Sequence, residues 1–193
     1  MPPQPKFTRE EIVALALELV SERGIDALTA RSLGEKMGSS PRPIFTAFKS
    51  MEEVKDEVMQ AAQKKYYEMQ KEPVKDAPKF KQFGVNMVKF ASQEPKLFAL
   101  LFMQKNEKAH TFADVFEMLG IGAVESIKTI EETYGLEADT AGALFRQVWI
   151  FTYGIAVLTV NGVCDFSEEE VSQMLTENFR GTLNDIRSRQ NKE

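Results

Sequence analysis

The chain has 193 residues, of which 43% are hydrophobic and 27% charged, and its formal net charge at pH 7 is −5. These values are those of an ordinary globular protein, and the acidic balance argues against a nonspecific binder of nucleic acid or membranes. One cysteine excludes an internal disulfide, and with a single histidine no set of metal ligands can be assembled. No paired carboxylates, nucleophile with a histidine, or phosphate-binding loop stands out, so neither an enzyme nor a cofactor is predicted.

The first residues and the longest apolar stretch bear on location. Residues 1–7, MPPQPKF, contain no apolar core of a signal peptide. Residues 148–160 form the longest apolar stretch, which is too short and too interrupted by Thr and Tyr to span a bilayer. We therefore expect a cytoplasmic protein with no membrane partner.

A first long helix is predicted to begin after Thr8. Thr8 and Glu11 have the Thr-x-x-Glu spacing of a capping box, in which each side chain satisfies a backbone N–H at the start of a helix. Apolar residues such as Ile12 and Leu19 recur with helical spacing, and Gly24 is a typical stop.

Residues 29–50 predict two short helices joined by a tight turn. Thr29 is placed to cap the first helix, and Leu33 with Met37 gives that helix a buried side. Gly38 stands where the chain must turn with positive φ. The spacing is that of a helix-turn-helix, whose second helix enters the major groove of DNA.

The second helix of this pair is predicted to start at Ser40. Its hydroxyl would cap the helix, and Pro41 would occupy the first helical position, where the missing N–H costs nothing. Ile44 and Phe48 supply its inward side. A new helix is expected to open at Ser50, ahead of acidic residues that favour the helix dipole.

Residues 12–58 resemble the DNA-binding domain of the TetR/AcrR family of bacterial repressors. The matching segments are ALELVSERG at 16–24, LTARSLG at 28–34, MGSS at 37–40 and IFTAFKS at 44–50, which stands where the family has Leu-Tyr-x-His-Phe. The resemblance implies an all-α fold, in which a three-helix DNA-binding domain precedes a divergent helical domain that binds a ligand and dimerises.

The resemblance also implies which residues contact DNA. Arg42 and Thr46 would face the groove, and Arg42 is the only long donor on the reading helix, able to bind guanine through two hydrogen bonds. Most of the others would contact the phosphate backbone. The predicted DNA-contacting residues are Thr29, Arg31, Ser40, Pro41, Arg42, Phe45, Thr46, Lys49 and Ser50.

Three positions depart from the family pattern. Phe45 keeps the ring of the usual tyrosine without its hydroxyl, Ala47 replaces a histidine, and Met51 replaces a lysine. Residues 1–50 carry seven basic and six acidic side chains, so their net charge is only +1. The alternative interpretation is a sensor or scaffold with the repressor fold that has lost sequence-specific DNA binding.

The rest of the chain predicts helices and no alternating strand pattern. Segments are expected near residues 78–93, 95–105, 110–134, 138–162 and 167–189, giving about nine helices in all. We expect residues 1–50 to form the helix-turn-helix DNA-binding domain and residues 51–193 the effector-binding and dimerisation domain. A continuous helix over residues 51–71 would join them.

An apolar effector cavity is implied by the resemblance. Half of the fourteen phenylalanines lie between residues 80 and 116, and polar groups buried among them would need a partner that a ligand could supply. Plain core packing would use the same residues. The candidate effector-binding residues are Asn86, Met87, Phe90, Phe98, Phe102, Met103, His110, Phe116, Gln147, Trp149 and Tyr153.

The last two predicted helices are candidates for a dimer interface. Residues 138–162 are apolar on nearly all sides, which in a soluble helix means burial against its own domain and something else. The final helix opens with a Ser167–Glu170 capping box and carries one apolar stripe, Val171, Leu175, Phe179, Leu183 and Ile186. We interpret these helices as half of a four-helix interface in a homodimer.

The predicted function is that of a ligand-responsive transcriptional regulator. A dimer would place two reading helices on the two halves of a palindromic double-stranded operator. A small lipophilic effector would shift the fourth helix and favour the DNA-free arrangement, so that repression is released.

Overall fold

The computed structural model describes residues 7–75, 77–105, 111, 112, 114 and 121–190. These residues contain nine α-helices and no strand, which confirms the all-α prediction. The helices are α1 (Arg9–Arg23), α2 (Ala30–Lys36), α3 (Arg42–Ala47), α4 (Met51–Gln70), α5 (Lys79–Gln93), α6 (Pro95–Phe102), α7 (Ile121–Tyr134), α8 (Ala138–Val160) and α9 (Glu168–Gln190). The helix start predicted near residue 110 lies outside the described residues.

The chain folds as two compact units. The first consists of the described residues of Met1–Met69 and Glu94–Gln104, and the second of those of Gln70–Gln93 and Lys105–Glu193. Helix α6 therefore belongs to the first unit, where it packs against α1. The functional boundary expected at residue 50 stays a prediction, because a unit of packing and a functional domain need not coincide.

Local hydrogen bonds at the start of α1 and α2 are those the sequence predicts. The Thr8 hydroxyl accepts from the Glu11 N–H at 3.2 Å, and the Glu11 carboxylate accepts from the Thr8 N–H at 2.8 Å. The Thr29 hydroxyl accepts from the Ser32 N–H at 3.1 Å. Both caps satisfy backbone donors that a helix start leaves without a partner.

The turn between α2 and α3 depends on two glycines. Gly38 has φ +60°, a backbone conformation that favours glycine. A Cβ on Gly34 would lie 3.1 Å from the carbonyl oxygen of Ser39 and 3.2 Å from the backbone N of Pro41. Because a side chain would crowd that backbone, glycine at position 34 lets the turn fold tightly over α2.

Glu94 ties three helices of the first unit together. It precedes α6, and its carboxylate accepts a 2.6 Å hydrogen bond from the Ser21 hydroxyl on α1 and pairs with Lys65 on α4. On the same side, the rings of Tyr66 and Phe102 meet edge to face with centroids 5.0 Å apart. These contacts fix α4 against α1 and α6.

In the second unit, α5, α8 and α9 pack against one another, and α7 packs on α5 and α8. Four residues of the apolar stripe on α9, Val171, Leu175, Phe179 and Leu183, are 2–6% exposed, so they belong to the core of this unit. The stripe therefore packs inside this unit, and the interpretation of the last two helices as half of a dimer interface stays a prediction.

Helix α8 has an unusual surface. Its 23 residues include an 18-residue window of mean hydropathy 1.5, long and apolar enough to cross a membrane, and 28% of that window is buried. The core helix of a soluble protein passes the same test of length and composition. Within the described residues, the large apolar side chains of Ile150 and Leu158 are 53% and 39% exposed.

Candidate functional site

The reading helix α3 presents its predicted DNA-contacting side to solvent. Ile44 is fully buried and Phe48 is 3% exposed, so these two residues hold α3 against the rest of the unit. All nine predicted DNA-contacting residues are exposed, and the ring of Phe45 is 52% exposed. The side chains of Arg42 and Thr46 are thus free of covering residues on the side of α3 that is predicted to meet DNA.

The start of α3 differs from the prediction. Ser40 makes no capping hydrogen bond; Pro41 is the N-cap, and α3 begins at Arg42 with Pro43 as its second residue. The prediction that Ser40 caps α3 is therefore wrong, because Pro41 takes an α-helical conformation (φ −65°, ψ −11°) and shifts the helix start by one residue. Arg42 consequently lies at the N-terminal end of α3, the end that such helices direct at base edges.

The positive charges of the helix-turn-helix fall into two groups. Arg31 pairs with Glu35 at 3.0 Å, and Lys36 pairs with Glu22 at 2.8 Å, which raises the pKa of Lys36. Within the described residues, the side chains of Arg42 and Lys49 have no ion pair. Arg42, at the start of α3, and Lys49, just after its end, therefore flank the exposed side of this helix with positive charge.

Thr46 is oriented by its own helix. Its hydroxyl donates a 3.1 Å hydrogen bond to the carbonyl of Arg42, one turn earlier. The oxygen lone pairs and the methyl group remain available, and a threonine methyl packs on the methyl group of thymine.

A groove of about 390 Å³ runs beside the N-terminal end of α3. Residues from the start of α1 form its other wall. Its lining residues are Phe7, Thr8, Arg9, Ser40, Arg42, Pro43, Thr46 and Ala47. Three predicted DNA-contacting residues, Ser40, Arg42 and Thr46, therefore share one concave surface.

Arg9 is a residue of this region that the sequence analysis did not single out. Its guanidinium donates to the Ala47 carbonyl at 3.0 Å and to the carboxylates of Glu53 and Glu57 at 2.8 and 2.7 Å. It also lies over the Phe48 ring, 4.2 Å from the centroid, as a cation–π contact. Arg9 thus fixes the C-terminal end of α3 to α1 and α4.

The second unit contains a cavity of about 430 Å³. Its walls come from α5, the end of α7, α8 and α9, and the residues are Pro78, Phe80, Lys81, Gly84, Tyr134, Val148, Leu175, Thr176, Phe179, Arg180 and Leu183. This volume lies within the range of small-molecule sites. Among the described residues, none of the predicted effector-binding residues lines this cavity.

The predicted effector-binding residues are dispersed. Phe98, Phe102 and Met103 lie on or directly after α6, in the first unit. Asn86, Met87 and Phe90 are buried on α5. His110 and Phe116 lie outside the described residues. The assignment of these residues to an effector site stays a prediction. No pattern in the sequence indicated that α6 packs in the first unit and not in the second.

The remaining three predicted residues lie on α8. Trp149 and Tyr153 stack with ring centroids 5.3 Å apart, and Gln147 is exposed. The void beside Trp149 has a volume of only about 10 Å³, too small for an effector. The indole N–H of Trp149 is buried and has no hydrogen-bond partner among the described residues. Burial raises the pKa of the Tyr153 phenol.

Asn86 has a clear structural role. Its amide nitrogen donates to the carbonyls of Gln70 and Glu72, at 3.4 and 2.9 Å, and Gln82 donates to the same Gln70 carbonyl at 3.2 Å. Gln70 is the last residue of α4. Two side chains of α5 therefore hold the C-terminal end of α4.

A helix-turn-helix with an exposed reading helix, in a chain with a second helical unit and a cavity, defines a DNA-binding transcriptional regulator. Comparison with known families agrees: residues 12–58 match the family described as "Bacterial regulatory proteins, tetR family", and residues 80–180 match the "Tetracyclin repressor-like, C-terminal domain". No curated protein matches the chain. The chain belongs to the TetR family of transcriptional regulators.

Proposed function

We propose that this regulator is a homodimeric repressor that binds a palindromic operator and is released from it by a small effector bound in the second unit. The observation that carries the proposal is the exposed surface of α3 and the residues after it, where Phe45 is exposed and, among the described residues, Arg42 and Lys49 have no ion pair. Arg42 would read a base edge, and the other exposed residues would contact phosphates.

Dimerisation through the last two helices is supported by the open side of α8. Ile150, Gly154 and Leu158 are spaced four residues apart, so they lie on one side of the helix, and all three are exposed. Within the described residues, a Cβ on Gly154 of α8 or Gly181 of α9 would meet nothing within 4 Å. A second copy packing on this surface would cover the apolar side chains, and the glycines would allow its helices to approach closely.

Two paired reading helices would compensate for a weak single contact. Each half-site engages one reading helix, and once the first is bound the second binds at high effective concentration. The exposed apolar surface of α8 is more simply accounted for by such a partner than by a bilayer. A transcriptional regulator acts where DNA is present, so we propose a cytoplasmic location. We propose no enzymatic activity for this protein.

The effector response would pass through α5 and α4. Helix α5 contributes Phe80, Lys81 and Gly84 to the cavity, and its Gln82 and Asn86 hold the carbonyl at the end of α4. A ligand that shifts α5 would therefore pull on α4, whose other end pairs with Arg9. The ligand changes DNA affinity only by the difference in its affinity for the two arrangements.

Selection of bound duplexes from a random DNA pool, at moderate salt, tests the DNA-binding part of the proposal. We expect recovery of a palindrome whose half-sites are about one helical turn apart, or a multiple of it. The matched variants are Arg42→Ala and Arg23→Ala, since Arg23 is also exposed but lies at the end of α1. Recovery of no preferred sequence would favour the alternative, a repressor-fold sensor that no longer reads DNA.

A further inference from the structure

We infer that the cavity of the second unit binds an amphipathic anion, a molecule with an apolar body and one acidic group. This deepens the effector part of the proposed function, and rests on it only for the regulatory consequence of binding. The inference rests on one observation: aromatic rings line one side of the cavity, next to cations that have no carboxylate partner among the described residues.

The floor of the cavity is made of three rings from three helices. Phe80 of α5 and Phe179 of α9 stack with centroids 4.4 Å apart and an interplanar angle of 21°. The Tyr134 ring of α7 lies 5.0 Å from Phe179 and 6.2 Å from Phe80. Such a floor would take an alkyl chain or a flat ring system, because both bury apolar surface against it.

Two cations line this cavity, and a third bonds the backbone of a lining residue. Lys81 and Arg180 line the cavity, and the guanidinium of Arg187 donates to the Tyr134 carbonyl at 3.4 Å. Within the described residues, none of these three side chains has a carboxylate within 4 Å. Two other basic residues of the same unit do have carboxylate partners, Lys89 with Glu72 and Arg189 with Asp185.

The unpaired state of these cations is informative because the chain as a whole is acidic, with a net charge of −5. The positive charges of Lys81 and Arg180 in one cavity raise the local concentration of anions. A carboxylate seated between Lys81 and Arg180 would form charge-assisted hydrogen bonds, which strengthen where water is excluded by an apolar body.

The cavity would stay accessible in the proposed dimer. On α9, the cavity residues Thr176 and Arg180 are four apart and share one side of the helix. Gly181, on the side that we assign to the partner, is rotated from Arg180 by about 100° around the helix axis. The two surfaces therefore lie on different sides of α9.

Binding of the full-length protein to matched acid and neutral probes, measured by calorimetry without DNA, tests the inference. The pairs are 2-naphthoate against 2-naphthamide and decanoate against decanol, so that ring and chain bodies are compared separately. We expect the acid of at least one pair to bind about tenfold more tightly than its neutral partner. Equal binding within both pairs, or no binding of any probe, would overturn the inference.

Variants identify the cations responsible. Lys81→Met and Arg180→Met keep an apolar stem and remove the charge, and we expect each to reduce the preference for the acid while leaving the affinity for the neutral probe unchanged. The control is Lys128→Met on α7, a cation with a 71% exposed side chain outside the cavity. An acid preference that survives Lys81→Met and Arg180→Met together would contradict the assignment.

The calorimetric test of the anion site and the duplex-selection test of DNA binding have independent outcomes. A protein that binds its selected operator yet shows no acid preference overturns this inference and leaves the proposed regulator intact. A protein that prefers the acid yet ignores every duplex overturns the proposed function and leaves the anion site standing.

Discussion

The guanidinium of Arg9, at the first residue of α1, donates a 2.7 Å hydrogen bond to the carboxylate of Glu57 on α4. The same side chain bonds the Ala47 carbonyl at the end of α3. One residue therefore joins the reading helix to the helix whose other end is held by α5. A displacement of α4 would strain these bonds and so change how α3 is presented.

Replacing Arg9 tests this connection. We expect Arg9→Met to lower the midpoint of thermal unfolding and to weaken operator binding, because the Ala47 carbonyl and two carboxylates lose their donor. Circular dichroism melts and a gel-shift titration measure the two effects. Arg31→Met is the control, since Arg31 is 89% exposed in its pair with Glu35 and such surface pairs contribute little. Equal effects of the two substitutions would contradict this role of Arg9.

The pH dependence of stability should report on Glu53. Its pKa lies below the ordinary value of 4.5 because its carboxylate accepts from the Lys49 N–H and, second, from Arg9. A lowered pKa in the folded state stabilises the fold above pH 4.5, and this stabilisation is lost as the pH falls through the folded-state value.

We therefore expect denaturant titrations to show a smaller fall in unfolding free energy below pH 4.5 for Glu53→Gln than for the wild type. Arg9→Met removes only the second cause, so its curve should lie between the two. A Glu53→Gln curve parallel to that of the wild type would show that this carboxylate does not contribute.

The dimer proposal predicts that charge on the open side of α8 separates the subunits. Ile150→Glu and Leu158→Glu should reduce the mass measured by light scattering from twice the chain mass of 21.8 kDa to that of one chain. Operator affinity should fall with it, because paired half-sites need two reading helices. Val124→Glu is the matched control: Val124 is 65% exposed but lies on α7. Dimers that persist in both α8 variants would place the interface elsewhere.

Asn86 separates effector binding from effector response. Asn86→Leu removes the hydrogen bonds to the carbonyls of Gln70 and Glu72, each worth about 0.5–1.5 kcal/mol in stability. We expect the variant to bind effector with unchanged affinity and to show a smaller change in operator affinity on effector addition. Lys89→Met, which removes only a surface pair with Glu72, should respond like the wild type. If Asn86→Leu instead lost effector affinity, Asn86 would contact the ligand directly, as the sequence analysis predicted.

Local signals predicted the helices and the caps at the start of α1 and α2, whereas the DNA-contacting residues stay a prediction. The capping residues Thr8 and Thr29 and the positive φ of Gly38 are determined by neighbours a few residues away, so their patterns are visible in the sequence. The predicted start of α3 was one residue too early, because the sequence did not distinguish Ser40 from Pro41 as the N-cap residue.

Long-range contacts were not predictable in this way. Arg9 and Glu57 are 48 residues apart, and no periodicity relates them. The α9 stripe that includes Phe179 faces the core because α5 packs there, and the cavity cations Lys81 and Arg180 come together only through that packing. Sequence spacing gives the side of a helix on which a residue lies and does not reveal what covers that side.

The most direct test of the central claim, that α3 reads DNA through Arg42, is the salt dependence of duplex binding by the ligand-free protein. We expect operator affinity to fall steeply with salt because bound phosphates release counterions. Arg42→Ala should lose the preference for operator over scrambled duplex, by a factor equivalent to about 1–3 kcal/mol, whereas Arg23→Ala should keep it. Failure of the wild-type protein to bind any duplex even at low ionic strength, or an unchanged preference in Arg42→Ala, would contradict the account.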